Sequence, residues 1–388
     1  MSTVNQSFKQ EGTLMAHLRA DTTERATLTA PKVLSSAIFL TMLGLSGAAM
    51  AEPLDGGRIG YVLTERHWAV YETEDSKTEC PDGFNGGPRE QFDELFPEDS
   101  KVERTVLETR LMREGRQFHP TTTPEPFPFK EVQGDISYGM NLDGKVGPED
   151  FQSPDGEAGI DNQLYRAIGC IASYRTDGAV WFFENFFMAG NGYTRWMIEL
   201  TGVDSLENDD DVTVTTYRGL DDLVTDASGQ GFVSGGTQRV DVRWGQSFIN
   251  EVKGKIVDGV LTTQPIEVAK IPWSQPGVSG GYHLIRDLQL QLKLTANEAQ
   301  GQMAGYTDVA QFTHRLNTNW ATHHQSYGQL SSPSEYRALR RLADAYPDPE
   351  TGANTAISSS VNMTLTQVYI VHPSEETQAW NQVAKNGK

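Results

Sequence analysis

From Ala179 onward the chain is cut into short stretches that alternate apolar with polar residues and are separated by Gly, Asp and Asn. This period restricts the fold more than any other feature, because alternation places successive side chains on opposite faces of a strand. Asp211–Tyr217 (DVTVTTY) alternates cleanly, and Tyr193–Leu200, Gln238–Trp244, Gly254–Leu261, Glu267–Ile271, Tyr282–Leu294 and Val361–Val371 continue the series. Gly190-Asn191-Gly192 and Asp258-Gly259 are hairpin-type turn signals. Gly301 to Gly305 reads as another turn, and the aromatic run Ala179–Met188 (AVWFFENFFM) as the first strand of the series. An earlier strand, Gly60–Tyr71 (GYVLTERHWAVY), alternates only in part. The expectation is a mainly β fold: an antiparallel β-sandwich, jelly-roll or lectin-like, with a few peripheral helices.

Helical spacing is confined to a few places. Ile160, Leu164, Ala167, Ile168 and Ile171 share one helix face, with Asp161 as the expected N-cap. Ser332–Tyr346 carries a Ser cap and apolar residues at helical spacing, Pro88–Leu95 is a short candidate, and Val102–Arg116 is helix-compatible. Four prolines between His119 and Phe129 make that segment an extended connector. The chain therefore divides into residues 1–51, 52–130 (strand, turn-rich and Pro-rich segment), 131–178 (acidic loop and helix) and 179–388 (β-sandwich region).

The acidic loop, Asn141 to Asp161, sets Asp143, Glu149, Asp150, Asp155, Glu157 and Asp161 among glycines. Carboxylates on a glycine-rich loop are the ligand type that a hard cation such as Ca²⁺ requires. Aligned to an EF-type loop, Asn141, Asp143, Gly144 and Asp150 take positions 3, 5, 6 and 12, but Gly139 at position 1 offers no side-chain oxygen. An irregular structural Ca²⁺ site drawing on Asn141, Asp143, Asp150, Asp155 and Asp161 is expected. The alternative is a set of solvated Asx turns.

Lys32, the apolar run Val33–Leu45 and the ending Ala49-Met50-Ala51 form a signal-peptide pattern, with cleavage before Glu52. The run is too short to span a bilayer. The expected compartment is periplasmic or extracellular, where Cys80 and Cys170, the two cysteines, would pair; two unpaired thiols are the alternative. A net charge of −20 disfavours nucleic acid and anionic membranes as partners and suits a protein that binds cations.

Three of eight histidines, His314, His323 and His324, cluster without matching a helical zinc motif. Gly277-Val278-Ser279-Gly280-Gly281 satisfies G-x-S-x-G, but prolines precede it and a strand follows, the wrong context for a nucleophile elbow. The aromatics between Trp181 and Trp196 are core residues, or in part a stacking platform for a sugar or an apolar ligand.

Within the acidic stretch, LDG, DF, SPDGE and GIDNQL (Leu142–Leu164) resemble a pattern in secreted proteins of uncharacterised function from Gram-negative bacteria. Their C-terminal LADAYPDPETG and TAIS segments correspond to Leu342–Gly352 and Thr355–Ser358. The resemblance implies a secreted β-rich fold and supplies no reaction. Together these readings describe a secreted, calcium-stabilised, non-enzymatic binding or accessory protein for a small molecule, glycan or protein partner, the ligand being carbohydrate or apolar. The alternative is a metal-dependent enzyme using His314, His323 and His324.

Overall fold

The computed structural model describes residues 56–85, 112–113, 116–117, 129–190, 195–229, 231–273, 281–318 and 332–373. The signal-peptide segment, the 88–95 helix candidate, the G-x-S-x-G serine, His323 and His324 lie outside them.

Eight strands form the body: β1 (Arg58–Trp68), β6 (Trp196–Thr201), β7 (Asp209–Arg218), β9 (Asn250–Val257), β10 (Val260–Thr263), β12 (Tyr282–Leu294), β13 (Glu298–Asp308) and β15 (Asn354–Val371). Each pairs antiparallel with the next, in chain order. β15 then returns to β1, in a register running from Gly60 opposite Val368 to Trp68 opposite Val361. The sheet therefore closes on itself as an up-and-down barrel. The mainly β, antiparallel expectation holds, but one closed sheet stands where two stacked ones were expected. Period-two alternation is the same in a sandwich and a barrel, and only the pairing of β1 with β15, some 300 residues away, distinguishes them.

The remaining elements are small. The chain also forms β2 (Met112–Arg113) and β3 (Arg116–Gln117), a hairpin at the end of the segment read as helix-compatible. β4 (Phe151–Gln152) pairs with β5 (Ala158–Ile160) across the acidic loop. β8 (Gly236–Arg239) runs parallel to the end of β15, while β11 (Ile266–Pro272) extends the edge of β12 and β14 (Ala345–Pro347) that of β15. Four helices are α1 (Gln163–Ile168), α2 (Ala179–Gly190), α3 (Val309–Thr318) and α4 (Ser332–Leu342).

Side chains fill the barrel. Tyr61, Leu63, Ile198, Leu200, Val214, Leu261, Leu290, Leu292, Met303, Val361, Met363 and Leu365 belong to one inaccessible cluster, as expected of an eight-stranded closure. A second cluster, Val62, Met197, Val240, Val368 and Ile370, lies on the opposite face of β1, β6 and β15, under the segment that carries β8.

Three sequence expectations are corrected. Ala179–Met188 is helix α2, not a strand: a continuous apolar run fits a buried element of either kind, and this one is docked by its two polar residues. The Asn185 amide accepts from the Arg66 N–H and donates to the Arg66 carbonyl, both at 2.9 Å, capping β1 where β6 no longer pairs with it. Gly301 and Gly305 lie inside β13 rather than in a turn. A Cβ on Gly301 would meet the Gln291 carbonyl oxygen at 2.1 Å, and one on Gly305 the Ile285 methyl at 2.6 Å, so these glycines permit close strand approach. Finally, Asp161 does not cap α1; its carboxylate turns back to the N–H groups of Leu142 and Asp143, at 2.6 and 3.4 Å.

Cys80 and Cys170 form the expected disulfide, across a sequence separation of 90. It ties the loop after β1 to the end of α1. Among the described residues no helix is long and apolar enough to cross a membrane.

Candidate functional site

β1 contains one irregularity, and the candidate site grows from it. Up to Leu63 its odd-numbered residues face the core. Between Leu63 and Glu65 the register to β15 shifts by one residue, so that Glu65 opposes Thr364 and Arg66 opposes Met363. Thr64 is the extra residue, and its hydroxyl donates to the Thr364 carbonyl at 3.0 Å. A bulge of this kind re-aims every side chain beyond it. Glu65 and His67 consequently face outward, while Arg66 and Trp68 are buried.

The outward residues of three neighbouring strands then fall into two rows by register. Glu65, Thr364 and Gln300 form one; His67, Asn362 and Gln302 form the other. Strand spacing and the two-residue repeat give this lattice a footprint of about 10 by 7 Å. These six residues, with Tyr138 and the backbone of Gly301 and Met363, line a solvent-open groove of about 390 Å³.

The lining is polar and only partly committed. Gln302 donates to the Asn362 side-chain oxygen at 2.8 Å, and Gln300 donates to Glu298 at 2.6 Å. His67 Nδ1 lies 3.2 Å from the Trp68 carbonyl, which can only accept, so Nδ1 carries a proton. Glu65 makes no side-chain hydrogen bond or ion pair among the described residues. Tyr138, 39 % exposed, forms one wall and meets Tyr71 edge-on at 5.8 Å. Its backbone is held by the buried Asn162, whose amide donates to the carbonyls of Tyr138 and Ala69 at 2.9 and 3.0 Å. The arrangement offers several hydrogen-bond donors and acceptors beside one aromatic ring, in a groove that needs no opening.

A second constellation is sealed inside one end of the barrel. Arg66 stacks on Trp273, 3.6 Å from guanidinium carbon to ring centroid, and lies 3.8 Å from the Glu184 carboxylate, whose other oxygen accepts from the Trp273 indole at 2.9 Å. Burial lowers the Arg66 pKa to about 9, a fall that Glu184 opposes. His283 Nε2 is 2.8 Å from the Thr307 hydroxyl, which lies 2.7 Å from that of Ser359; Ser359 donates to the Gly305 carbonyl. Each hydroxyl has one proton, so the chain fixes His283 Nε2 as the donor and leaves Nδ1 bare. Burial, then the charges of Arg315 and Arg66, hold this imidazole neutral, well below its ordinary pKa. None of Arg66, Glu184 and His283 is more than 3 % exposed. Their role is to fasten α2 to the barrel end.

The acidic loop forms a third constellation. Asn141 accepts from the Gly144 N–H, Asp143 from the Lys145 N–H and ammonium group, and Asp150 from the Gly147 N–H. Asp155 lies on the separate turn between β4 and β5. Burial, together with the charges of Asp150 and Asp143, pushes the Asp161 carboxyl up to about 6 despite two backbone N–H donors. Asp344, which the sequence reading did not single out, joins this corner: burial raises its pKa, with Asp150 adding to the rise. Two motif segments meet here, since the Gln163 N–H donates to Ser358 at 2.9 Å and Ser358 donates to Asp344. Among the described residues no three Asp, Glu, His or Cys side chains are placed to hold a metal ion. His314 sits on the exposed side of α3.

Of the aromatic platform expected on a strand, Trp181 and Phe182 are half-buried and Phe186 is exposed, all on α2. The groove residues were missed because they come from three strands and a loop. The signal available was the break in alternation at Thr64–Glu65, followed by Glu and His two residues apart. No protein family, curated protein or solved structure matches the chain.

Proposed function

We propose that this is a secreted, non-enzymatic binding or accessory protein whose ligand is a hydroxyl-rich small molecule, a saccharide, laid across the wall formed by β1, β15 and β13. The observation that carries the reading is the two-by-three lattice of Glu65, Thr364, Gln300, His67, Asn362 and Gln302 beside Tyr138, in an open groove. Amide, hydroxyl, imidazole and carboxylate groups match vicinal hydroxyls, and an aromatic wall suits the apolar face of a sugar ring. The signal-peptide pattern and the disulfide support export. The resemblance to secreted Gram-negative proteins is part of the same proposal; two of the segments that carry it meet in this chain at Gln163 and Ser358.

Calcium is proposed as a structural cation of the acidic corner, with Asn141, Asp143, Asp150, Asp155 and Asp161 as ligands. The support is the mutual crowding of Asp143, Asp150 and Asp161, whose charge a divalent ion would relieve. Its binding would require the loop's oxygens to exchange their backbone partners for the ion.

The test is a saccharide-array screen of the exported protein, followed by calorimetry with Asn362→Ala, Gln302→Ala and Tyr138→Ala. Each substitution is expected to weaken binding about five- to twentyfold with an unchanged melting curve, as for loss of one or two hydrogen bonds or a stacking contact. Retained affinity in all three variants would place the ligand elsewhere.

A further inference from the structure

Among the described residues that line the groove, Glu65 is the one carboxylate, and it has no partner among them. Glu65 is half-buried among the lining groups and makes no side-chain hydrogen bond or ion pair among the described residues. A second carboxylate, Glu298, lies beside the lattice and accepts from Gln300. Among the lining residues there is no lysine or arginine. The nearest cation in register is Lys293, opposite Gln300 on the next strand, and its ammonium group is engaged by the Asp258 carbonyl. The other cation next to Glu65 in sequence, Arg66, points into the barrel. Tyr138, with a partly exposed ring, lines the same groove. A carboxylate and a tyrosine lining one groove, in a chain of net charge −20, are the two groups that recognise an ammonium ion.

We infer that the groove selects a saccharide carrying a free amino group, with the ammonium between Glu65 and Tyr138 and the hydroxyls on Asn362, Gln302, Thr364 and His67. This inference rests on the saccharide-binding reading above and narrows it. It also excludes uronic-acid and phosphorylated sugars, which Glu65 and Glu298 would repel.

The test compares β-linked glucosamine tetramer with its fully N-acetylated counterpart and with a uronate tetramer, by calorimetry on the exported full chain at about pH 7 and low salt, where carboxylate and amine are both charged. A partly exposed ion pair and one cation–π contact together predict a preference of about tenfold for the free amine over the acetylated form. That preference should fall to about threefold in Glu65→Gln, where the cation–π contact remains, and shrink at high salt. Asn362→Ala should weaken both tetramers equally, since it touches hydroxyls only. If the acetylated or uronate tetramer binds as tightly as the free amine, and Asn362→Ala still weakens the binding, the amine inference is overturned while the groove reading stands. If no saccharide binds, both fall together.

Discussion

Replacing Glu184 with alanine tests the account of the sealed barrel end. Two things change at once. The Trp273 indole loses its acceptor at 2.9 Å, worth about 1 kcal/mol for a typical buried hydrogen bond. Arg66, fully buried, loses the carboxylate 3.8 Å away and, among the described residues, keeps the Pro272 carbonyl at 3.3 Å and the face of Trp273. An uncompensated buried charge costs about 3–5 kcal/mol when one partner of an ion pair is removed. The summed expectation is a loss of about 4–6 kcal/mol, a large part of the stability of an ordinary domain. Urea unfolding followed by tryptophan fluorescence should show the midpoint fall with little change in slope. Removing both charges with apolar residues of similar volume, Arg66→Met with Glu184→Met, should recover most of that loss, because the desolvation of both groups disappears together. A loss below 1 kcal/mol for Glu184→Ala, or a double variant worse than the single one, would refute the burial of this pair.

Other consequences follow from the same structure. The Asp161 carboxyl titrates near 6 in the folded state against about 3.9 unfolded, so its contribution is fully favourable below the unfolded value and is lost as pH rises through 6. In chelator, Asp161→Asn should therefore melt higher than the parent at pH 7 and at the same temperature at pH 3.5; added Ca²⁺ should reverse the order at pH 7 by stabilising the parent alone. Gly301→Ala forces a methyl within 2.1 Å of a backbone oxygen and should cost about 3 kcal/mol, at the top of the overpacking range. Gly352→Ala, at φ 72° with nothing nearby, should cost only the backbone strain of about 1 kcal/mol. Replacing both Cys80 and Cys170 with alanine should cost about 4–5 kcal/mol from loop-closure entropy, measured by urea unfolding against the oxidised parent.

Local chemistry made part of this legible beforehand. The turn at Asp258-Gly259 is where the periodicity places it, with both residues at positive φ. Val361–Val371 is the C-terminal part of β15, α4 begins at Ser332 but ends at Leu342 rather than Tyr346, and the cysteine pair is joined. What stayed hidden depends on partners distant in the chain. Gly301 and Gly305 look like turn residues until Gln291 and Ile285 are placed beside them. The α2 run looks like a strand until Asn185 is seen completing the edge of β1. The groove is the same kind of case, since Glu65, Asn362 and Gln302 become neighbours only through the closure of β1 on β15 and the pairing of β15 with β13. A bulge at Thr64 decides whether Glu65 or Arg66 faces water, and alternation marks only that a break occurs there.

The central claim is that the wall groove holds the ligand, and the side-chain amides that line it report on this directly. In protein labelled with ¹⁵N at Asn and Gln, titration with glucosamine tetramer should shift the side-chain NH₂ resonances of Gln300, Gln302 and Asn362 together, along a single binding curve. Those of Asn185, buried at the barrel end, should stay in place. Saturable binding that leaves the three groove amides unmoved would contradict the account.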